Sequence, residues 1–466
     1  MSPARVSAAK RTKVSEPRLF AAPAPSTDLL IREARVVDPR AGIDAPHDVL
    51  IRAGEIAELA PPGSLQPPAR VELIEGAGKH LFPAFVDPHV HLRTPGQEHK
   101  EDLETGTRAA AAGGYCVVIA MPNTTPTLDQ PALLRGLVAQ AREQARVQVG
   151  FMAAVSVGLR GEQLTEMARL REAGAIGFTD DGKPVVSAGL LRRALQYQRL
   201  CGGVVALHEE DPTLSADGVM NEGEVSAALG LTGIPAVSEA TMIARDSLIA
   251  AAERARVHFQ HLSSRASVEA LAHARAGGAR VSGEASPHHL LLTEEAVRSL
   301  DTSFKMNPPL RTEDDRVALV EGLRDGTIEC IATDHAPHSR DEKAVPFEQA
   351  PMGSTGLETA FAALYTGLVL PGALTLGCLI ERLTAGAALF ELATPTITPG
   401  SEANVCLIDL EATWRVGESG YESRSANCCF AGRELTGRVL LTASAGSVAY
   451  RERSFALRVP VGVSAV

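Results

Sequence analysis

Three hydrophobic patterns follow one another along the chain. From Leu29 to about Leu81, short β-type runs (LLIREARVVD, DVLIRAGEIAEL, VELIEGAGKHLF) are broken by Gly54, Gly63 and Gly76-Ala77-Gly78, as in small antiparallel strands joined by turns. The far end repeats this in ANVCLIDL, ELTGRVLLTASAG and SVAYRERS, so the flanks predict one small β-sandwich formed by both chain ends. Between them, apolar runs alternate with amphipathic ones. The apolar runs predict strands at 83–91, 115–121, 147–155, 175–180, 203–208, 256–262, 279–285 and 327–334. Helices are predicted at 130–145, 162–173, 187–200, 238–254 and 265–277. Eight β/α units over about 300 residues predict an α/β chain with a closed TIM-like (β/α)8 barrel rather than an open doubly wound sheet. No Gly-X-Gly-X-X-Gly follows the first of these strands, which argues against dinucleotide binding. The expected organisation is a flexible tail over 1–27, the N-terminal half of the β-sandwich over 28–82, the barrel over 83–394 and the C-terminal half of the β-sandwich over 395–466.

Composition narrows the function classes. Apolar content of 45% and charged content of 22% are those of a globular protein. The net charge of −11 argues against a broad nucleic-acid footprint or an anionic membrane surface. It leaves room for a small anionic substrate in a locally positive pocket. No run of 18 apolar residues occurs, so no membrane span is expected. The cysteines at 116, 201, 330, 378, 406, 428 and 429 are odd in number and irregularly spaced, which predicts free thiols in a reducing cytoplasm. The first 27 residues carry five basic residues against Glu16 alone and no continuous apolar stretch, unlike a secretory signal. Their proline content predicts a flexible tail in preference to an organellar transit peptide.

Barrel enzymes carry their chemistry at the C-terminal ends of the strands. The first barrel strand ends in Phe85-Val86-Asp87-Pro88-His89-Val90-His91-Leu92-Arg93, where strand alternation would put His89, His91 and Arg93 on one face. Two imidazoles on one face make a half-site for a divalent metal. The fourth strand ends in Asp180-Asp181-Gly182, the fifth at His208, the sixth at His261 and the eighth at Asp334-His335. One strand-end histidine is an ordinary solvated residue, and one aspartate a helix cap. Four histidines and two aspartates converging on one mouth are neither. They exceed the needs of one four-coordinate zinc and suit two metal ions about 3.5–4 Å apart. Such a pair activates water near neutral pH and polarises a carbonyl, which predicts hydrolysis of an amide-like bond or its reverse.

The ordered motifs carry a family resemblance. They are Asp87 to Arg93, Met121-Pro122-Asn123-Thr124, Asp180-Asp181-Gly182, Ala206-Leu207-His208-Glu209-Glu210-Asp211 and His261-Leu262-Ser263. They continue with Pro287-His288-His289, Lys305-Met306-Asn307-Pro308-Pro309-Leu310-Arg311 and Ala332-Thr333-Asp334-His335-Ala336-Pro337-His338. The set resembles the amidohydrolase superfamily and, closely, the bacterial class I dihydroorotases, over nearly the whole chain after the tail. The resemblance implies zinc-dependent, reversible cyclisation of N-carbamoyl-L-aspartate to L-dihydroorotate plus water, in pyrimidine synthesis. It implies two Zn2+ per subunit, one held by His89, His91 and Asp334, the other by His208 and His261, with Asp181 bridging. The family spacing to His208 selects Asp181 over Asp180. Many relatives bridge with a carboxylated lysine, but no lysine precedes Gly182 on the fourth strand.

By the same resemblance Asp334 is the general acid/base, and His91, Arg93, Asn123, Asn307, His338 and the Met352-Gly353 backbone contact substrate. An arginine can hold a carboxylate bidentately, and asparagine amides both donate and accept. His288 and His289 are not family ligands and read as pocket wall or structural, and His258 as a core or outer-layer histidine. Thr94 departs from the glutamate that commonly follows the motif's arginine. The charged segment after His338 is a candidate for closing over substrate. A cytoplasmic homodimer is expected, with no nucleic-acid or membrane partner and with aspartate transcarbamoylase as a candidate partner. Two other readings are a related cyclic amidase of the allantoinase or hydantoinase type and a metal-free dihydroorotase-like scaffold subunit. The first generally uses the carboxylated lysine and lacks the Lys305–Arg311 motif, and the second loses ligands that are all present here.

Overall fold

In the computed structural model, which describes residues 19–453 and 455, the two chain ends meet in one sheet. The N-terminal region supplies β1 (Leu29–Asp38), β2 (Ile43–Arg52), β3 (Glu55–Ala60), β4 (Glu72–Glu75) and β5 (His80–Pro83). The barrel follows with β6 (Phe85–Val90), β7 (Tyr115–Ala120), β8 (Gln148–Ala153), β9 (Ala175–Thr179) and β10 (Val204–Leu207). A two-stranded insertion, β11 (Met220–Asn221) and β12 (Gly233–Ile234), precedes β13 (Arg256–Phe259), β14 (Arg280–Ala285) and β15 (Cys330–Ile331). The C-terminal region adds β16 (Val405–Arg415), β17 (Glu434–Ser444) and β18 (Ser447–Arg451).

The terminal strands hydrogen-bond in the order β18-β17-β16-β5-β1-β2-β3, with β4 on β1. Alternation along these strands separates two cores. Val405 and Leu407 join Leu81, Ile31 and Ile51 in the core of the sheet, whereas Cys406 and Ile408 join Phe82 in the barrel core. Residues from both ends enclose one apolar core, so the sheet curls on itself as a sandwich.

The barrel strands pair in parallel from β6 round to β15. Their apolar runs are continuous because helices cover the outside while side chains fill the inside. The ring closes where Val90 bridges His335 and the His91 N–H donates to the His335 carbonyl at 2.9 Å. The last strand is much shorter than the expected 327–334. The Asp87 carboxylate takes both the N–H and the hydroxyl of Thr333, replacing a ladder bond, and the backbone turns at Asp334 (φ +48°). The helix expected from 162 begins only at Met167, because Thr165 donates its N–H to Val155 and its hydroxyl to Ala154. Helices Leu103–Ala112 and Glu313–Asp325 lay outside the expected set. Each starts with a capping box, Asp102 with Thr105 and Thr312 with Asp315.

Residues 19–27 of the expected tail include the buried Phe20, which stacks on Phe151 and exchanges backbone hydrogen bonds with Val149. That stretch is therefore attached to the barrel, and residues 1–18 lie outside the described residues. The cysteines are all free. Among the described residues, no helix is long and apolar enough to cross a membrane.

Candidate active site

The C-terminal mouth of the barrel holds a cavity of about 300 Å³. It is lined by His91, Arg93, Asn123, Asp181, Gly182, His208, His261, Asn307, Asp334, Ala336, His338, Met352 and Gly353. Every residue expected in the site thus lines this one cavity except His89, which lies fully buried against the cluster.

Asp181 is the centre of this cluster. Its Oδ1 lies 3.4 Å from His89 Nε2, 3.5 Å from His261 Nε2 and 3.9 Å from His208 Nδ1, and its Oδ2 lies 3.5 Å from His91 Nε2. Asp180 points elsewhere, accepting the N–H of Ser156 at 2.9 Å and its hydroxyl. Adjacent residues at a strand end face opposite ways, so only one of the two aspartates meets the imidazoles. Asp334 Oδ1 stands 3.1 Å from His91 Nε2 and 3.5 Å from His89 Nε2. Lys183 is exposed, and no lysine lines the cavity.

The outward ring nitrogens of three of these histidines are held by acceptors. His89 Nδ1 lies 2.8 Å from Glu284 Oε1, His91 Nδ1 2.9 Å from Asn123 Oδ1 and His208 Nε2 3.2 Å from Glu210 Oε2. In neutral imidazoles these contacts place the proton outside, so lone pairs point inward at the Asp181 and Asp334 carboxylates. Acceptors facing acceptors are mutually repulsive unless a cation sits between them. His89 Nε2 accordingly has no hydrogen-bond partner although it is buried. The donor set fits metal ions: His89, His91 and Asp334 bring ligand atoms within 4.8 Å of one another, as do His89, Asp181 and His261. His208 Nδ1, 2.9 Å from His261 Nε2, extends the second group. Burial alone would raise the Asp334 carboxyl, but the surrounding imidazoles, His89 first, hold it well below the usual range.

Arg93 enters this site by another route than strand alternation. β6 ends at Val90, and Arg93 holds φ +58°, a left-handed turn that carries it over the mouth. His261 (φ +33°) and Asp334 (φ +48°) share this sparsely occupied region, each at a cost of about 1–3 kcal/mol that the surrounding fold must over-determine. The Arg93 Nε–H donates to the Pro337 carbonyl at 3.1 Å. The Nε2–H of His338 donates to Met352 O at 2.9 Å, and burial together with Arg93 pushes this imidazole down to about 2, so it is neutral. Asn307 donates to Glu210 Oε2 at 2.9 Å.

His289 is structural, tied to Ser286 Oγ and the Pro308 carbonyl, and His288 is buried beside it. His258 bonds Glu284 Oε2 at 3.0 Å, so Glu284 joins two histidines. Burial opposes its ionisation, but the bonds from His258 and His89 bring its carboxyl down to about 2. Sequence reasoning passed over Glu284. The available signal was a lone carboxylate near the end of a barrel strand.

A family model described as Dihydro-orotase-like matches residues 78–267. A dihydroorotase of Syntrophotalea carbinolica is 46% identical over 424 residues, 91% of this chain and 99% of the relative. One of Pelotomaculum thermopropionicum is 45% identical over 91% of this chain and 99% of its own length. Among solved structures, an L-hydantoinase (dihydropyrimidinase) from Arthrobacter aurescens superposes with a TM-score of 0.80 at 26% identity, covering 91% of this chain and 96% of its own.

Proposed function

This chain belongs to the dihydroorotase family of the amidohydrolase superfamily, and from that membership we propose how its own residues carry the reaction. The enzyme is a cyclic amide hydrolase that interconverts N-carbamoyl-L-aspartate and L-dihydroorotate in pyrimidine synthesis. Superfamily members are metal-dependent, and the His/Asp groups here can bind metal. The finer assignment is ours: two zinc ions, one with His89, His91 and Asp334, the other with His208 and His261, and Asp181 between them. When bound, such a pair polarises the scissile carbonyl and makes water a nucleophile near neutral pH.

The observation that carries the reading is a buried guanidinium, Arg93, without a carboxylate of its own, in the same cavity as the acceptor-rich cluster. Arg93 receives the substrate carboxylate, while Asn123 and Asn307 orient the ring amides. In ring opening, water oxygen bonds to the ring carbonyl carbon and the carbon–nitrogen bond breaks. Asp334 takes the proton of the attacking water and delivers it to the departing ring nitrogen, and cyclisation runs the same transfers backwards. His338 and the Met352-Gly353 backbone wall the ring. Homodimeric assembly, a cytoplasmic location and aspartate transcarbamoylase as a candidate partner follow from the resemblance and complete the proposal.

The test is ring opening of dihydroorotate, allantoin and hydantoin side by side, with Asp334→Asn as the mechanistic variant. Dihydroorotate should be the ring turned over, and Asp334→Asn should lose at least about 100-fold in kcat. Turnover of another ring alone, or near-wild-type activity of the variant, would sink the reading.

A further inference from the structure

The β16–β17 connection, residues 416–433, leaves the sandwich and reaches the barrel mouth. At its inner end lies Asn427, 7% exposed. Its Nδ2 donates to the carbonyls of Ala336 and Gly353, each at 3.1 Å, and its Oδ1 accepts the N–H of His338 at 3.0 Å. Its main-chain carbonyl takes the N–H of Thr355 at 3.0 Å. One residue thus ties together two segments, 336–338 and 353–355, that wall the substrate cavity, though Asn427 itself lines none of it. The segments approach closely. A Cβ on Gly353 would stand 2.6 Å from the Ala336 Cβ. The position demands two N–H donors on one atom and an acceptor beside it, at short reach. Aspartate cannot donate, and glutamine is a methylene longer.

We propose that Asn427 is a positioning residue for substrate binding: it sets the spacing between the His338 and Gly353 walls, so the sandwich loop contributes to the active site. This rests on the reading of His338 and Gly353 as substrate contacts. The loop has other anchors that survive loss of this side chain. Glu358 accepts the N–H groups of Glu422 and Ser423, Ser425 donates to the Lys100 carbonyl, and the Cys429 N–H donates to Ser354 Oγ. Removing the Asn427 amide therefore loosens the wall rather than the loop.

The test compares Asn427→Ala, Asn427→Asp, His338→Ala and the Asn427→Ala/His338→Ala double variant in dihydroorotate ring opening, with metal content measured on each. Both Asn427 variants should raise KM about tenfold with kcat within about threefold and metal content unchanged. In the His338→Ala background the further rise should shrink below about threefold, because the two residues act through one wall. If His338→Ala raises KM and Asn427→Ala does not, the role of Asn427 is overturned alone. If His338→Ala leaves KM unchanged, the underlying reading of His338 falls. Failure of both Asn427 variants to fold, or loss of metal from them, marks a merely structural residue and overturns the proposal as well.

Discussion

Replacing Arg93 by alanine tests the substrate reading at its most exposed point. The guanidinium is buried, 8% exposed, and spends its Nε–H on a backbone carbonyl. Burial lowers its pKa to about 10, so it stays a cation at neutral pH, and Asp334 and Asp181 act on it only through space. Nη2 lies 3.4 Å from His338 Nε2, and both Nη groups keep N–H donors for a ligand. A carboxylate received by both gains two charge-assisted hydrogen bonds of ~1.5–3 kcal/mol each. Taking ~3 kcal/mol for the pair after ordering costs, the loss is about 150-fold in kcat/KM at 1.36 kcal/mol per tenfold. Stability should suffer less than activity, since the change also removes an unpaired buried charge. Dihydrouracil, the same ring without the carboxylate, supplies the control. In steady-state ring opening kcat/KM should fall about 150-fold for dihydroorotate and less than about threefold for dihydrouracil. Equal losses on both rings, or an unchanged KM for dihydroorotate, would refute carboxylate recognition by Arg93.

Other outcomes follow from groups behind the cavity. Glu284→Gln should weaken metal binding about 10–100-fold, read by chelator competition, because Gln cannot accept from both His89 and His258. Undiminished metal affinity would remove Glu284 from that role. Burial raises the Glu358 carboxyl from 4.5 to about 7. The native chain then keeps a proton that the unfolded chain has lost. The stabilisation is full below pH 4.5 and is lost as pH rises through about 7, at most ~3 kcal/mol at 1.36 kcal/mol per pH unit. Glu358→Gln should abolish that share of the decline, measured as urea midpoints at about pH 5 and about pH 8. Identical pH slopes in the two proteins would contradict it.

Much of this molecule was legible along the chain. Apolar runs and amphipathic spacing marked the eight barrel strands and five of the helices, because covering both faces of a strand or one face of a helix leaves a local periodic trace. The His-X-His pair and the Asp and His residues at later strand ends were legible too, since a barrel gathers its strand ends at one mouth. What the pattern could not supply is who meets whom across it. Alternation says that only one of Asp180 and Asp181 faces inward; the contacts with four imidazoles and with Ser156 show which. Glu284 meets His89 from 195 residues away, a pairing set by barrel register. Arg93 reaches the mouth through a left-handed turn that no strand period foretells, and Asn427 arrives from the sandwich. Local sequence determined the elements and the chemistry each carries. Tertiary structure decided their partners, because contact between distant side chains depends on register, closure and turn geometry, which no single segment contains.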